Sequence, residues 1–328
     1  MSFSIGPVQI DDPVFLAPMS GVSDLPFRRL VKSFGAGLVF SEMIASRPML
    51  EEARSSPKAS HDYGDEFPIA VQLAGCEPDI MAEAAKLNAD RGAAIIDINF
   101  GCPVKKVVNN FAGSALMRDE KRAAAIMESV VRAVSVPVTV KMRLGWDDAS
   151  INAPRLAKTA QDAGIKMVTV HGRTRNQLYN GIADWDAVAA VKQAITLPVI
   201  VNGDITNAQK AHEALQKSGA DGVMIGRGTY GRPWLVRQIM DSLKTGAQFA
   251  DPALHERAGI VQRHYLALLD HYGPHAGNQI ARKHIGWYID GLPGADDLRG
   301  RINQMLEPKQ VQAALHTYFE EINNASKT

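Results

Sequence analysis

The sequence has few cysteines, almost no net charge and no long apolar run. Cys76 and Cys102 are the only cysteines among 328 residues, which excludes a disulfide framework and fits a reducing cytoplasm. With 36 basic and 35 acidic residues the net charge is +1, so overall charge neither supports nor opposes a polyanionic partner. No apolar run approaches the ~20 residues of a membrane span, and residues 1–10 lack the regions of a signal peptide. We therefore expect a cytoplasmic protein without a membrane anchor.

What the sequence does contain is a series of eight short apolar runs, rich in valine and isoleucine, that alternate with helical patterns. The runs are Val14–Ala17, Leu38–Phe40, Ile69–Leu73, Ile95–Ile98, Val138–Val140, Met167–Val170, Val199–Val201 and Gly222–Ile225. Such runs are typical of strands that are buried on both faces, and their alternation with helices indicates a parallel sheet. Eight repeats predict an α/β protein with a closed (β/α)8 barrel, the TIM-barrel fold.

The segments between the runs carry helix signals. Asp24 is a good N-cap for the first of them, and glycine at positions 92, 164 and 219 marks helix ends before the next strand. The predicted barrel helices are Pro26–Phe34, Asp79–Asp90, Asp119–Val134, Pro154–Ala163, Trp185–Ile195 and Ala208–Ser218.

After Pro233 the β-branched runs stop and only helical periodicity remains. The predicted helices are Trp234–Leu243, Pro252–Asp270, Asn278–Ile289 and Pro308–Ala325. The stretch Asp241–Pro252 reads as a linker. We therefore predict a barrel domain at 1–245 and a helical domain at 250–328, which has eight basic and nine acidic residues and is not a basic tail.

The turns after the seventh and eighth runs have the composition of a phosphate site. They read Asn202-Gly203-Asp204 and Gly226-Arg227-Gly228. In barrels these two loops commonly bind phosphate, because glycine lets backbone N–H groups approach the anion and an arginine adds a charge-assisted bond. The alternative is that both are tight turns that need positive φ.

Lys141 ends the fifth run, where its side chain would point into the barrel mouth. An unpaired ammonium in a partly dry pocket is costly, so we expect an anionic or electron-rich partner for it. The alternative is an ion pair inside the barrel with Glu42 or Asp97.

Gln72, Asn99 and His171 also end predicted strands. The two amides offer donors and acceptors to a planar heterocycle, or they cap strand ends. His171 opens a loop too polar for a core, although a single histidine is often structural.

Cys102 lies in a Gly–Cys–Pro turn just beyond the fourth run. Most free cysteines are small buried hydrophobes, but a turn at the catalytic rim is a poor core site. We therefore interpret Cys102 as reactive and Cys76, at a helix entry, as structural.

These residues and their neighbours resemble one family over nearly the whole chain, the tRNA-dihydrouridine synthases, and the bacterial B type most of all. The matching stretches are Ala17-Pro18-Met19-Ser20-Gly21, Ser41-Glu42-Met43, Val71-Gln72-Leu73-Ala74-Gly75, Asn99-Phe100-Gly101-Cys102-Pro103, Gly113-Ser114-Ala115-Leu116-Met117, Val140-Lys141-Met142-Arg143-Leu144-Gly145-Trp146, Val170-His171-Gly172-Arg173-Thr174, Asn202-Gly203-Asp204, Met224-Ile225-Gly226-Arg227-Gly228 and Arg282-Lys283-His284-Ile285-Gly286-Trp287-Tyr288. Ser20 stands where alanine is expected, which is a minor departure.

The resemblance implies FMN as cofactor, NADPH as reductant and Cys102 as the proton donor to the uracil ring. The residues it assigns to FMN are Pro18, Met19 and Ser20 along the flavin, Gln72 and Lys141 at its polar edge, and His171, Asn202, Gly203, Asp204, Gly226 and Arg227 at the phosphate end. It implies no metal.

The implied substrate is a tRNA whose target uridine, uridine 17 of the D-loop by resemblance to the B type, is flipped out of the stack. We expect Asn99 and Arg173 to read the base. We expect Arg282 and Lys283 of the helical domain to hold the tRNA, unless they are only a solvated helix face. We expect a monomer.

Two other functions compete with this one. A flavin barrel that reduces a free pyrimidine, like dihydroorotate dehydrogenase, could carry a similar Gly–Cys–Pro turn, but it would not need the helical domain. A non-catalytic RNA-binding or flavin-binding protein would not need Cys102 and Lys141.

Overall fold

All eight predicted runs form strands of one parallel barrel, so the TIM-barrel prediction is confirmed. The computed structural model describes residues 2–55, 63 and 66–325. The barrel strands are β3 (Val14–Leu16), β4 (Leu38–Phe40), β6 (Ile69–Ala74), β7 (Ile95–Phe100), β8 (Val138–Arg143), β9 (Val168–His171), β10 (Val199–Asn202) and β11 (Gly222–Ile225). Each strand pairs with the next, β11 pairs with β3, and pairing of β4 with β6 completes the circle, while the two-residue β5 (Ile44–Ala45) extends the pairing of β6.

An N-terminal hairpin that the sequence did not predict precedes the barrel. Its strands, β1 (Phe3–Ile5) and β2 (Val8–Ile10), are antiparallel. The buried Ile5 and Ile10 belong to the same apolar cluster as Phe15 of β3. The turn at Gly6 lies beside Pro137, directly before β8, so the hairpin lies at the amino-terminal ends of the strands, opposite the mouth.

Helices surround the barrel where the sequence predicted them, with bounds that differ by at most one residue. They are α1 (Leu25–Ser33), α3 (Pro78–Asp90), α5 (Glu120–Ala133), α6 (Ala153–Asp162), α7 (Trp185–Ala194) and α8 (Ala208–Ser218). Asp24 accepts a bond from the Phe27 backbone N–H at 3.0 Å, which confirms the predicted N-cap. Two helices were not predicted: α2 (Ser46–Ser55), which packs beside α3, and the short α4 (Lys105–Val108).

Five helices follow the last strand, and the last four of them enclose a second apolar core, while the buried residues of the first belong to the barrel core. The five helices are α9 (Leu235–Thr245), α10 (Leu254–Tyr272), α11 (Pro274–Ile289), α12 (Ala295–Gln304) and α13 (Pro308–Ala325), of which α12 was not predicted. This core also includes Leu30 of α1 and Trp234 before α9, so the helices pack directly on the barrel. The domain limits stay a prediction, and their outer ends, residue 1 and residues 326–328, lie outside the described residues.

Two partly buried groups of polar contacts join the C-terminal helices and the linker to the barrel side of the chain. The Tyr272 hydroxyl at the end of α10 donates to the Asp24 carboxylate at 3.1 Å. In the predicted linker, Asp251 accepts from Arg232 and from the Trp234 indole, each at 2.9 Å. The linker is therefore tied down rather than free. In the part of the chain described, no helix combines the length and apolar character that crossing a bilayer requires.

Candidate functional site

A cavity of about 590 Å³ opens at the carboxyl-terminal ends of the barrel strands. This volume lies in the range of small-molecule and cofactor sites. Thirteen of the sixteen predicted site residues line it: Pro18, Met19, Ser20, Gln72, Asn99, Cys102, Lys141, His171, Asn202, Gly203, Asp204, Gly226 and Arg227. Arg173, Arg282 and Lys283 do not.

A chain of side-chain hydrogen bonds runs across the floor of the cavity to Cys102. Asp97 is fully buried and accepts from the Gln72 amide at 2.7 Å. The Gln72 oxygen accepts from the Asn99 amide at 2.7 Å, and the Asn99 oxygen accepts the backbone N–H groups of Gly101 and Cys102 at 3.1 and 2.9 Å. Only an oxygen can accept two N–H groups, so the orientation of each amide is determined. This network holds the turn that carries the thiol.

The Cys102 thiol is free and faces the cavity. Burial raises its pKa, and the weaker opposing effects of the Val104 N–H, Arg143 and Lys141 do not cancel this. The thiol is therefore protonated at neutral pH, which suits a proton donor and not a nucleophile.

Lys141 reaches the same cavity from β8 and has one hydrogen bond, from its Nζ to the Asn202 side-chain oxygen at 3.1 Å. No salt bridge joins it to Asp97 or Glu42 among the described residues, so neither predicted alternative ion pair forms. Burial and then the charge of Arg143 lower the pKa of Lys141 to about 8, although Asp97 opposes this shift. An ammonium held in this way is stabilised by an electron-rich ligand.

The turns after β10 and β11 form the opposite wall. Gly203 has φ +117°, and a Cβ there would lie 2.8 Å from the Ala183 Cβ and 3.1 Å from the His171 ring. The Arg227 side chain, which is 53% exposed, extends beside Asp204 at 3.5 Å. Position 203 therefore requires glycine, both for its positive φ and for its close packing on Ala183 and His171, and Arg227 brings a guanidinium to this wall.

His171 is buried at the end of β9, and its pKa is well below the ordinary value because burial and then the charges of Lys141 and Arg143 disfavour the imidazolium. The ring is neutral at pH 7. It contributes hydrogen bonding and shape to the cavity, not charge.

Arg173 does not read a base, and this expectation from the sequence needs correction. Its side chain is 1% exposed and forms a bidentate ion pair with Asp204, with bonds of 2.9 and 2.6 Å. It also donates to the carbonyls of Asn180 and Gly181 and lies 3.3 Å from the His171 ring. Every nitrogen is engaged, so Arg173 supports the wall formed by the turns after β10 and β11 from behind.

Arg143 and Tyr179 are among the cavity residues that the sequence did not predict. Arg143 is buried on β8 and donates to the carbonyls of Gly101, at 2.9 Å, and Leu178, at 2.8 Å. It thereby ties the cysteine turn to the loop after β9, which contributes Tyr179 to the cavity rim. Residues 141 and 143 point to the same face of β8. The spacing of Lys141 and Arg143 could therefore have predicted that Arg143 also lines the cavity.

The other two predicted tRNA contacts lie on α11. The Arg282 guanidinium donates to the Met305 carbonyl at 3.2 Å, and the Lys283 ammonium donates to the Gly21 carbonyl, next to Ser20 at the rim. Both side chains are half-buried. Both side chains therefore join α11 to another part of the chain as well as carrying charge. They are not merely solvated residues on an exposed helix face.

Comparison with the sequences of known proteins identifies the family of this chain. The family model described as dihydrouridine synthase matches residues 15–323. The chain belongs to the dihydrouridine synthase family. A probable tRNA-dihydrouridine synthase of Rickettsia conorii is 56% identical over 324 residues, which cover 98% of each chain. The tRNA-dihydrouridine synthase B of Pseudomonas aeruginosa is 46% identical over 98% of this chain and 96% of its own, and that of Xanthomonas campestris is 48% identical over 96% and 95%.

Membership of the dihydrouridine synthases confirms the family resemblance seen in the sequence and disfavours the two competing functions. The match extends from β3 into α13. The C-terminal helices, which a free-pyrimidine enzyme would not need, are therefore part of the family's architecture.

Proposed function

We propose that this protein uses FMN and NADPH to reduce the C5–C6 double bond of a D-loop uridine in tRNA. The observation that carries the proposal is that a protonated cysteine and a half-buried lysine face one cavity, in a chain of the dihydrouridine synthase family. The resemblance to the B type further suggests uridine 17 as the target.

The cavity residues fit FMN. Gly203 and Gly226 leave room for a phosphate between β10 and β11, and Arg227 is free enough to reach it. Asp204 itself carries negative charge, so its part would be to position Arg227 and Arg173 rather than to touch the anion. The neutral His171 ring and the Asn202 amide would complete this end.

At the other end, Gln72 and Lys141 would contact the polar edge of the isoalloxazine. The Gln72 amide is oriented by Asp97, and the hydrogen bond of Lys141 goes to a neutral amide oxygen rather than to a carboxylate. Pro18, Met19 and Ser20 of the loop after β3 also line the cavity and would lie along the ring.

Saturating the C5–C6 bond of uracil adds a hydride to one carbon and a proton to the other. FMN, when bound, supplies the hydride chemistry. Cys102 would supply the proton, because its S–H bond is intact at neutral pH and its backbone N–H is anchored by Asn99. The S–H bond breaks as the new C–H bond forms, and the thiolate left behind is stabilised by the nearby charges of Arg143 and Lys141.

Asn99 would also read the base. Its oxygen and one N–H are used within the protein, which leaves one N–H for a uracil carbonyl. The target base must leave its stack to reach the cavity. The C-terminal helices, through Arg282 and Lys283, would hold the rest of the tRNA, largely by shape and phosphate contacts.

The test is to map dihydrouridine in tRNA from a strain that lacks this gene, with and without the gene restored. The modification should disappear from one D-loop position and return with the wild-type protein. The purified protein should be yellow and release FMN on denaturation. A colourless protein, or an unchanged dihydrouridine profile, would refute the proposal. We further propose a cytoplasmic monomer, which sedimentation of the purified protein tests.

A further inference from the structure

Phe111 combines strong exposure with a strained backbone. Its side chain is 67% exposed, and its φ is +54°. In the described part of the chain only Leu178 and Asp204 share a positive φ among non-glycine residues. A bulky residue in the left-handed region is an outlier, and such strain clusters at functional sites where the surroundings enforce it. Asp204 lines the cavity, and Leu178 is bonded to the cavity residue Arg143.

The loop that carries Phe111 begins and ends at Cys102. It leaves the cysteine at Pro103 and returns at Ser114, whose N–H and hydroxyl both donate to the Cys102 carbonyl, at 3.1 and 2.9 Å. At Gly113, with φ +61°, a Cβ would lie 2.8 Å from the same carbonyl oxygen. Residues 103–114 therefore form a loop whose two ends are held together at the turn that carries Cys102.

Hydrogen bonds within the loop enforce the conformation at its tip. The Phe111 N–H donates to the Val108 carbonyl at 3.0 Å, and the next residue, Ala112, donates to the Val107 carbonyl at 3.2 Å. The Val107 N–H in turn donates to the Val104 carbonyl at 2.9 Å. Because the backbone is held on both sides of position 111, the ring is presented outward in a defined place relative to Cys102.

The loop that carries Phe111 also carries one exposed apolar side chain and two exposed positive side chains. Val104, 53% exposed, lies on the same loop and lines the cavity. Lys105 and Lys106 are exposed, and within the described ranges neither has a carboxylate at salt-bridge distance. An exposed aromatic ring beside free lysines is the combination that binds unpaired nucleotides, by stacking on a base and attracting the phosphates.

We propose that Phe111 is a base-stacking contact for the RNA, which packs against a nucleotide next to the target uridine and takes the place that the uridine vacates. The proposal rests on the proposed function. Extrusion of a base leaves a gap in the stack, and an apolar side chain that fills this gap offsets the cost of unstacking. Lys105 and Lys106 then lie beside the flanking phosphates. The same loop thus links recognition of the extruded state to the position of the proton donor.

The test uses the full-length protein with bound FMN and three variants. Phe111→Asn removes the ring, and asparagine tolerates a positive φ, so the loop conformation is favoured. Phe111→Tyr keeps a ring. Phe67→Asn is the matched control, because Phe67 is 63% exposed but lies just before β6, at the opposite end of the barrel. All four proteins receive unmodified tRNA and, separately, tRNA with 2-aminopurine beside the target uridine.

Phe111→Asn should lower kcat/KM for tRNA by about 5- to 150-fold, the range for loss of one base–aromatic stack. It should also abolish the 2-aminopurine quenching that the wild type produces on binding. Phe111→Tyr should keep the quenching, and Phe67→Asn should match the wild type. NADPH oxidation with a small electron acceptor should be the same in all four.

Equal kcat/KM and equal quenching in Phe111→Asn and the wild type would overturn the proposal. So would an unchanged tRNA reaction combined with a changed sedimentation mass, which would make the loop a protein–protein contact. If the wild type itself forms no dihydrouridine, the proposed function fails, and that result is distinct from a failure confined to Phe111.

Discussion

The side-chain oxygen of Asn99 accepts the backbone N–H of Cys102 at 2.9 Å, so the thiol is positioned by a residue of the strand behind it. Asn99 is itself held by Gln72, and Gln72 by the buried Asp97. The cysteine turn therefore depends on a network that reaches into the barrel, and damage to any of its members should displace the thiol.

Cys102→Ala should lose most of the tRNA reduction, by roughly 10²–10⁴-fold, because it removes the proposed general acid. Reduction of the bound flavin by NADPH should be unaffected, since that half-reaction needs no proton from the thiol. Stopped-flow observation of each half-reaction separates the two. Cys76→Ala, which changes the other free cysteine, should leave both intact. A slow first half-reaction with a normal second would exclude the proton-donor role.

Lys141→Ala should weaken retention of FMN or slow the oxidation of reduced flavin by tRNA, because it removes the only lysine that lines the cavity in the described chain. Its pKa is lowered to about 8, so the ammonium is lost as pH rises through that value. FMN affinity of the wild type should therefore fall above pH 8, and this fall should be absent in the variant. Fluorescence titration with FMN measures both. Lys158→Ala, on the exposed face of α6, is the control. Identical pH profiles would show that the charge of Lys141 does not contact the flavin.

Both the barrel and the residues at its mouth were predictable from the positions of the eight apolar runs, because the residue that follows each run lies where a barrel strand ends. In a parallel barrel the residues that end the strands line the mouth, so this rule together with the family resemblance predicted the thirteen site residues that line the cavity. The N-terminal hairpin was not predictable, because two three-residue strands carry too little periodicity.

The wrong prediction for Arg173 has a different cause. Its partner Asp204 lies 31 residues away, and residue type alone does not reveal whether an arginine is paired inside or free.

Asp204→Asn should destabilise the fold by about 3–5 kcal/mol, because it leaves the guanidinium of Arg173, 1% exposed, without its counter-charge. Denaturant unfolding measures the loss. Asp162→Asn, which breaks an exposed i,i+4 pair with Lys158, should cost at most about 0.5 kcal/mol. If the two variants lose equal stability, Arg173 finds another partner when Asp204 loses its charge, and this ion pair does not support the cavity wall.

A pair of buried histidines between the barrel and the C-terminal helices should make the protein acid-sensitive. The rings of His264 and His284 lie 4.7 Å apart and each packs on Phe27. Burial lowers the pKa of His264 to about 3 and of His284 to about 2, with the neighbouring ring and Lys283 adding to the second shift. The folded state keeps both rings neutral at pH values where the unfolded chain binds protons.

This stabilisation is present above the unfolded pKa of about 6.5 and is lost as pH falls below it. Between pH 7 and pH 5 each ring should contribute a loss of about 2 kcal/mol in the free energy of unfolding. His284→Phe should reduce the loss by that amount, because the phenyl ring does not titrate. His255→Gln, at an exposed position of α10, should leave the pH dependence unchanged. Equal slopes for all three proteins would contradict the assignment.

The last prediction concerns Arg282 and Lys283, whose charges lie on α11 near the cavity rim. Changing both to alanine should weaken tRNA binding without altering NADPH oxidation by a small electron acceptor, since the flavin chemistry does not need α11. Removal of each phosphate contact should lower the slope of log affinity against log salt by about one unit. The measurement is tRNA affinity across a salt series.

Because Lys283 also donates to the Gly21 carbonyl, thermal unfolding of the double variant must be measured beside binding. A lower melting temperature with an unchanged salt slope would mean that the pair only joins α11 to its neighbours. The control replaces Lys86 and Lys158, two exposed lysines on barrel helices that pair with carboxylates four residues away, and it should change neither property. If the α11 variant keeps its slope and affinity, the tRNA path must run along the lysines of the Phe111 loop and Arg175, on the other side of the barrel mouth.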